Sequence, residues 1–216
     1  MKGEDTVDQV RITYLGHACF DLAYGGQSLI IDPYADGMVP GLRAVQTRAQ
    51  AVYCSHEHDD HNNRAAIQLE EAESLAWTVQ ELDVPHDDRD GALRGRNFIR
   101  IFTFGSLRVA HLGDLGRVLS AEEADRLLGV DCLLIPVGGF FTIDAEAAVQ
   151  VIGQVKPRVV IPMHYRTEKS GFDKIAKLET FTSLFDDVTY AGRASVLLDA
   201  DTKNQILVLN AQNEGV

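Results

Sequence analysis

Three histidines and two aspartates crowd into six consecutive residues, His56-Glu57-His58-Asp59-Asp60-His61, and no other feature constrains this chain as much. With only seven histidines in the whole sequence, such crowding is improbable by chance. The short apolar run Ala51-Val52-Tyr53-Cys54 leads straight into the cluster and reads as a strand. His56 and His58, two residues apart at a strand exit, can project the same way, and Asp60 and His61 follow at once. Imidazole and carboxylate are the donors that zinc, iron and manganese accept. The helical metalloprotease box is excluded, because Asp60 stands where that box needs its second histidine.

The rest of the chain bounds the answer. A length of 216 residues suits one domain over 1–216, and no Pro/Ser-rich linker or repeat divides it. No apolar run is long enough to span a membrane, and the first dozen residues carry no apolar leader. Cys19, Cys54 and Cys132 are scattered and odd in number, which suits buried free thiols and a cytoplasmic protein. The net charge of −12 argues against a nucleic-acid partner, since that affinity rests on cations neutralising phosphates. Arg89, Arg94, Arg96 and Arg100 are interleaved with acids and read as a solvated face.

Alternation of apolar and polar residues predicts a β-meander over Val10–Tyr14, Cys19–Leu22 and Leu29–Ile31, with Gly25-Gly26 as a turn. A hairpin is expected from Asn97–Phe104 and Leu107–Leu112 around Gly105-Ser106. Helices are expected near Arg64–Glu73, Ala121–Leu128, Ala145–Val155 (capped by Asp144) and Phe172–Phe185. Buried strands are expected at Asp131–Ile135 and Arg158–Ile161, with closing strands at Ser195–Leu198 and Gln205–Leu209. Strands first, helices interleaved and strands again predict an α/β fold, a four-layer αββα sandwich of two mixed sheets flanked by helices.

The segment HEHDDH resembles the H-x-H-x-D-H signature of the metallo-β-lactamase superfamily, placed as there after a short apolar strand. The resemblance extends in order along the chain. It implies that His56 and His58 bind a first metal with His86 of VPHDDRDG, and that Asp60 and His61 bind a second with His164 of VVIPMHY. It implies that Asp114 of HLGDLG bridges the two and that Asp32 of LIIDPY orients the site. GHACF, IIDPY, HLGDLG, IPVGGF and IPMHY further resemble a compact bacterial and archaeal branch described as metal-dependent hydrolases, related to ascorbate-phosphate lactonases.

One assignment has a rival. His111 competes with His86 for the first metal, but a strand residue three before Asp114 points elsewhere, which favours His86. His17 of GHACF is either a substrate-side acid or hydrogen-bond donor, or a structural histidine. Asp59 has no place in the ligand scheme, Gly138-Gly139 either let a loop approach the site or form a plain turn, and Tyr165 lines the pocket or packs.

The resemblance implies a binuclear hydrolase with two divalent ions, zinc first and manganese or iron as alternatives. A metal-bridged hydroxide would cleave an ester, lactone or phosphodiester bond in a small molecule, with Asp60, Asp114 and His17 as catalytic candidates. The rivals are an iron-dependent oxygenase or oxidoreductase on the same fold, a metal-holding sensor without turnover, and a nucleic-acid phosphodiesterase. Di-iron electron-transfer members carry a carboxylate where His58 stands, complete ligation speaks against a sensor, and charge disfavours the nuclease. Self-association into a homo-oligomer is a further expectation.

Overall fold

The first three strands show how the sequence builds its first sheet. In the computed structural model, which describes residues 8–215, β1 (Val10–Gly16), β2 (Cys19–Tyr24) and β3 (Gln27–Ile31) form the expected antiparallel meander. Gly25 and Gly26 both take positive φ, 59° and 79°, as the two central residues of a tight hairpin turn require. Val10, Ile12, Phe20, Leu22, Leu29 and Ile31 face inward and join the main core.

β4 (Thr47–Ala49), β5 (Ala51–Tyr53), β6 (Ile67–Leu69), β7 (Thr78–Pro85), β8 (Arg96–Phe104) and β9 (Leu107–His111) follow. Then come α1 (Ala121–Leu127), β10 (Cys132–Pro136), α2 (Ala145–Val155), β11 (Val159–Met163), α3 (Leu178–Thr182), β12 (Val188–Tyr190), β13 (Ser195–Leu198) and β14 (Gln205–Val208). Two mixed sheets result, a five-stranded one ordered β13-β1-β2-β3-β5 and a seven-stranded one ordered β12-β14-β11-β10-β9-β8-β7. β10 and β11 are buried along their whole length, as parallel strands covered on both faces must be. The smaller sheet covers one face, and the packed helices α1, α2 and α3 cover the other. Ser120 caps α1 through a capping box with Glu123, and Asp144 caps α2 by accepting from the Ala147 amide.

Two expected helices are corrected. Arg64–Glu73 is a single 3₁₀ turn, Arg64–Ala66, followed by β6, which pairs with β4 in parallel. Its Ala/Glu/Leu composition favours a helix, but only Ile67 is buried, so no apolar face exists to hold one. Ile67 instead joins Leu15, Cys19, Ile30, Tyr34, Val39 and others in a second cluster outside the smaller sheet. Loop and paired strands therefore make the outer layer there, and no α-helix covers that face among the described residues. Phe172–Phe185 is helical only over α3, because the Ala176 amide is drawn to Gly138 O at 2.7 Å and Ile175 is buried. β7 was not anticipated. It is a charged edge strand, paired with β8 from Thr78↔Thr103 to Pro85↔Arg96. Residues 1–7, where the absence of an apolar leader was read, lie outside the described residues.

Candidate metal centre

Six strands of the two sheets end at one edge of the sandwich, and a candidate residue follows each. His17 follows β1, Asp32 β3, His56 β5, His86 β7, Asp114 β9 and His164 β11. His17, Asp32 and His164 take positive φ of 57°, 48° and 54°, an uncommon backbone for residues with a Cβ. The chain thus turns sharply at the sheet edge and delivers each side chain into a shared space.

Three overlapping sets of donors result, each with its ligand atoms within 4.8 Å of one another: His56, His58 and His86; His17, Asp60, His61 and His164; and His56, His61 and Asp114. Asp114 stands among them, one carboxylate oxygen 3.3 Å from His61 Nε2 and the other 3.3 Å from His164 Nε2 and 3.5 Å from His86 Nε2. Asp60 lies 3.2 Å from His17 Nε2 and 3.7 Å from His61 Nε2. His58 is exposed, whereas His17, His56, His61, His86, Asp114 and His164 are buried.

Asp32 organises two of these histidines through a residue that the sequence did not single out. Its carboxylate accepts from the Ser55 amide (2.6 Å), the Ser55 hydroxyl (2.6 Å) and His61 Nδ1 (2.8 Å). The Ser55 hydroxyl, its proton so committed, accepts from His56 Nδ1 at 2.9 Å. Both histidines then hold a proton on Nδ1, and Nε2 is the atom that each turns toward a ligand. His56 Nε2, His61 Nε2 and both ring nitrogens of His164 are buried without a hydrogen-bond partner. Nε2 atoms so placed beside the carboxylates of Asp114 and Asp60 fit a metal ion.

Asn97 was also missed. Fully buried, it accepts from the Asp114 amide at 2.9 Å and donates to Leu112 O at 2.8 Å. Gly113 permits this, since a Cβ there would lie 2.1 Å from Asn97 Oδ1. His111 has both ring nitrogens engaged, Nε2 with Ala18 O (2.8 Å) and Nδ1 with the Gly113 amide (3.1 Å), and it stands outside all three donor sets. His86 heads a loop organised by Asp87, whose buried carboxylate accepts from the amides of Arg89, Gly91, Leu93 and Arg94. An Asp followed closely by Gly was the available signal for that loop.

Electrostatics follow the contacts. Burial opposes the charge of Asp32, but His61 beside it wins and holds the carboxyl at about 2. Burial likewise opposes charge on Asp114, yet His164 and His61 hold it well below the usual carboxylate range. Burial pushes His56 down to about 3 and His17 to about 4. The opposite holds at His61, where Asp114 and Asp32 overcome desolvation and raise it. The arginine face is only partly solvated: Arg100 is buried and donates to Cys54 O, and Arg94 reaches the mouth of the site.

A family model described as "Beta-lactamase superfamily domain" matches residues 11–164, which contain every residue of the centre. The chain belongs to the beta-lactamase superfamily. A UPF0173 protein of Pyrococcus furiosus is 30% identical over 184 residues, covering 73% of this chain and 84% of that protein. A UPF0173 metal-dependent hydrolase of Natranaerobius thermophilus is 25% identical over 187 residues, covering 73% of this chain and 84% of the relative. Among solved structures, a Thermotoga maritima protein described as a "putative zn-dependent hydrolase of the metallo-beta-lactamase superfamily" superposes with a TM-score of 0.71 at 25% identity, covering 93% of this chain and 98% of its own.

Proposed function

We propose that this chain is a metal-dependent hydrolase that cleaves an ester, lactone or phosphodiester bond in a small molecule. The observation that carries the reading is the set of buried imidazole nitrogens with no hydrogen-bond partner, converging on Asp114 and Asp60. His56, His58 and His86 would hold one ion, and Asp60, His61 and His164 a second, with Asp114 between them. Divalent ions there supply Lewis acidity, acidifying a water and polarising the bond under attack.

The chain's own residues do the rest. Asp32 and Ser55 lock two imidazoles in the tautomer that presents Nε2. Asn97 fixes the backbone of Asp114. His17 donates from Nε2 to Asp60 Oδ2 and so orients a carboxylate that stays charged and would position the attacking water. Phe141 and Phe172 wall a cleft of about 190 Å³ over the donors and limit bulk water there. That volume, with the net charge of −12, favours a small molecule over nucleic acid. No helix among the described residues is long and apolar enough to cross a membrane. The free, buried state of Cys19, Cys54 and Cys132 supports placing the activity in the cytoplasm.

Elemental analysis, paired with rates on p-nitrophenyl esters, phosphodiesters and lactones, tests the reading. The expected result is about two equivalents of zinc or manganese per chain and hydrolysis that a chelator abolishes. Asp114→Ala should remove that hydrolysis while the circular dichroism spectrum stays unchanged. Undiminished turnover in that variant overturns the proposal, and iron without hydrolysis moves it to redox chemistry.

A further inference from the structure

The mouth of the cleft holds a cation that the metal chemistry does not use. Arg94 lines it with Phe141 and Phe172, above His58, Asp60 and Asp114. Neighbouring arginines are committed to carboxylates: Arg64 to Glu57 (3.1 Å), Arg96 to Asp83 (2.7 Å) and Arg100 to Glu81 (2.9 Å). Arg94 has no carboxylate within 4.0 Å among the described residues. One of its nitrogens donates to Phe140 O at 3.0 Å, and its guanidinium lies 5.7 Å from the centre of the Phe141 ring. A guanidinium carries five N–H donors, so most of the fork remains free.

Its placement is held from both sides. The loop it ends is closed by the His86 amide donating to Gly95 O at 3.0 Å. Inside, Asp87 gathers four amides, that of Arg94 included. A metal-donor candidate and this arginine thus sit at the two ends of one braced loop. Across the cleft, Phe140 has a φ of 60°, which is strained for a bulky residue and persists only where surroundings impose it. The bond from Arg94 to its carbonyl is one such restraint, and the Phe141 amide on Gly139 O at 2.7 Å is another. The aromatic wall and the cation are therefore fixed relative to one another.

We propose that Arg94 is an oxyanion-recognition residue of this cleft, and that the substrate joins a carboxylate or phosphate group to a small apolar body seated between Phe141 and Phe172. A fork with free parallel donors matches the two oxygens of such a group, and a half-buried setting strengthens the pairing. This rests on the hydrolase reading for the identity of the cleft.

Three anilides of matched size test it by calorimetric titration of the zinc-loaded protein: butyranilide, succinanilic acid and the anilide of 3-phosphonopropanoic acid. At least one anionic anilide should bind about tenfold to a hundredfold more tightly than butyranilide, and the stronger of the two names the group. Arg94→Met should erase that preference, so that the anionic anilides fall to the affinity butyranilide has for the same variant, whereas Arg96→Met should keep it. Arg94→Lys, which keeps the charge without the fork, should retain part of it. Equal binding of all three to the wild type overturns the proposal. So does a preference that survives in Arg94→Met, which would put the anion on the metal ions. An equal loss of all three in that variant also overturns it, because Arg94 would then only support the wall. Since the titration reads binding, absence of turnover would retire the hydrolase reading without deciding the anion preference.

Discussion

Two aspartates of the opening meander, Asp21 within β2 and Asp32 just past β3, meet burial in opposite ways. Asp32 is fully buried, receives three hydrogen bonds and is held near 2. Asp21 is partly buried on the outer side of the same sheet, its Oδ1 has no partner, and burial pushes it up to about 6 against the weak help of Arg11. Desolvation acts in the same direction on both. Donors decide the outcome, and the chain has invested them where the carboxylate orients histidines. The difference separates a carboxylate that the site requires from one that the fold merely carries.

The largest expected effect breaks the favourable member of the pair. Asp32→Ala leaves the Ser55 amide, its hydroxyl and His61 Nδ1 without their acceptor in a fully buried space. Removing one partner of a buried charged network costs about 3–5 kcal/mol, so urea unfolding should register a loss of that order. Zinc content should fall with it, because His61 loses the bond that fixes its tautomer and the Ser55 hydroxyl that accepts from His56 loses its own acceptor. A loss under about 1 kcal/mol would mean that Asp32 is not the organiser of this edge.

Asp32 also shows what a sequence can and cannot announce. His56 could be picked out because it opens a histidine cluster after a short apolar strand, and Asp32, His86, Asp114 and His164 because the motifs around them resemble the family's. Ser55 and Asn97 could not be, since a serine and an asparagine acquire their roles only from Asp32 and Asp114 beside them. The same limit applies to the fold. The meander, the β8–β9 hairpin and the capped helix α2 follow from local pattern and turn chemistry. β7 does not, because its pairing with β8 is supplied by the partner strand and not by its own charged sequence. Arg64–Glu73 fails for the converse reason, as helix propensity without a buried face is outweighed by the pairing of β4 with β6.

A smaller effect sharpens the comparison by removing a single donor. Ser55→Ala takes away one hydroxyl bond to Asp32 and the acceptor of His56 Nδ1, while the residue 55 amide still donates. The expected cost is about 1–3 kcal/mol in stability, with zinc affinity weakened by about 10- to 100-fold through loss of the His56 tautomer. Competition with a fluorescent chelator measures the second quantity. Unchanged affinity would show that the amide alone suffices to set the site.

Asp21 supplies the opposite sign and the smallest effect. Its folded value of about 6 lies above the ordinary 3.8, so between those pH values the folded chain binds a proton that the unfolded chain has released. Stability contributed by that proton is present at low pH and is lost as pH rises through about 6. At 1.36 kcal/mol per tenfold the gap is worth at most about 3 kcal/mol, and solvent reaching the partly exposed side chain reduces this to about 1–2. Asn, neutral at every pH, removes the penalty. Asp21→Asn should therefore stabilise the protein by about 1–2 kcal/mol at pH 8 and leave it nearly unchanged at pH 4 in paired urea titrations. Protonation of the metal-centre histidines affects both proteins alike and cancels in the difference. A gain that is the same at both pH values would assign the effect to packing, and a loss at pH 8 would mean that Asp21 is paired in solution and that the contrast with Asp32 does not hold.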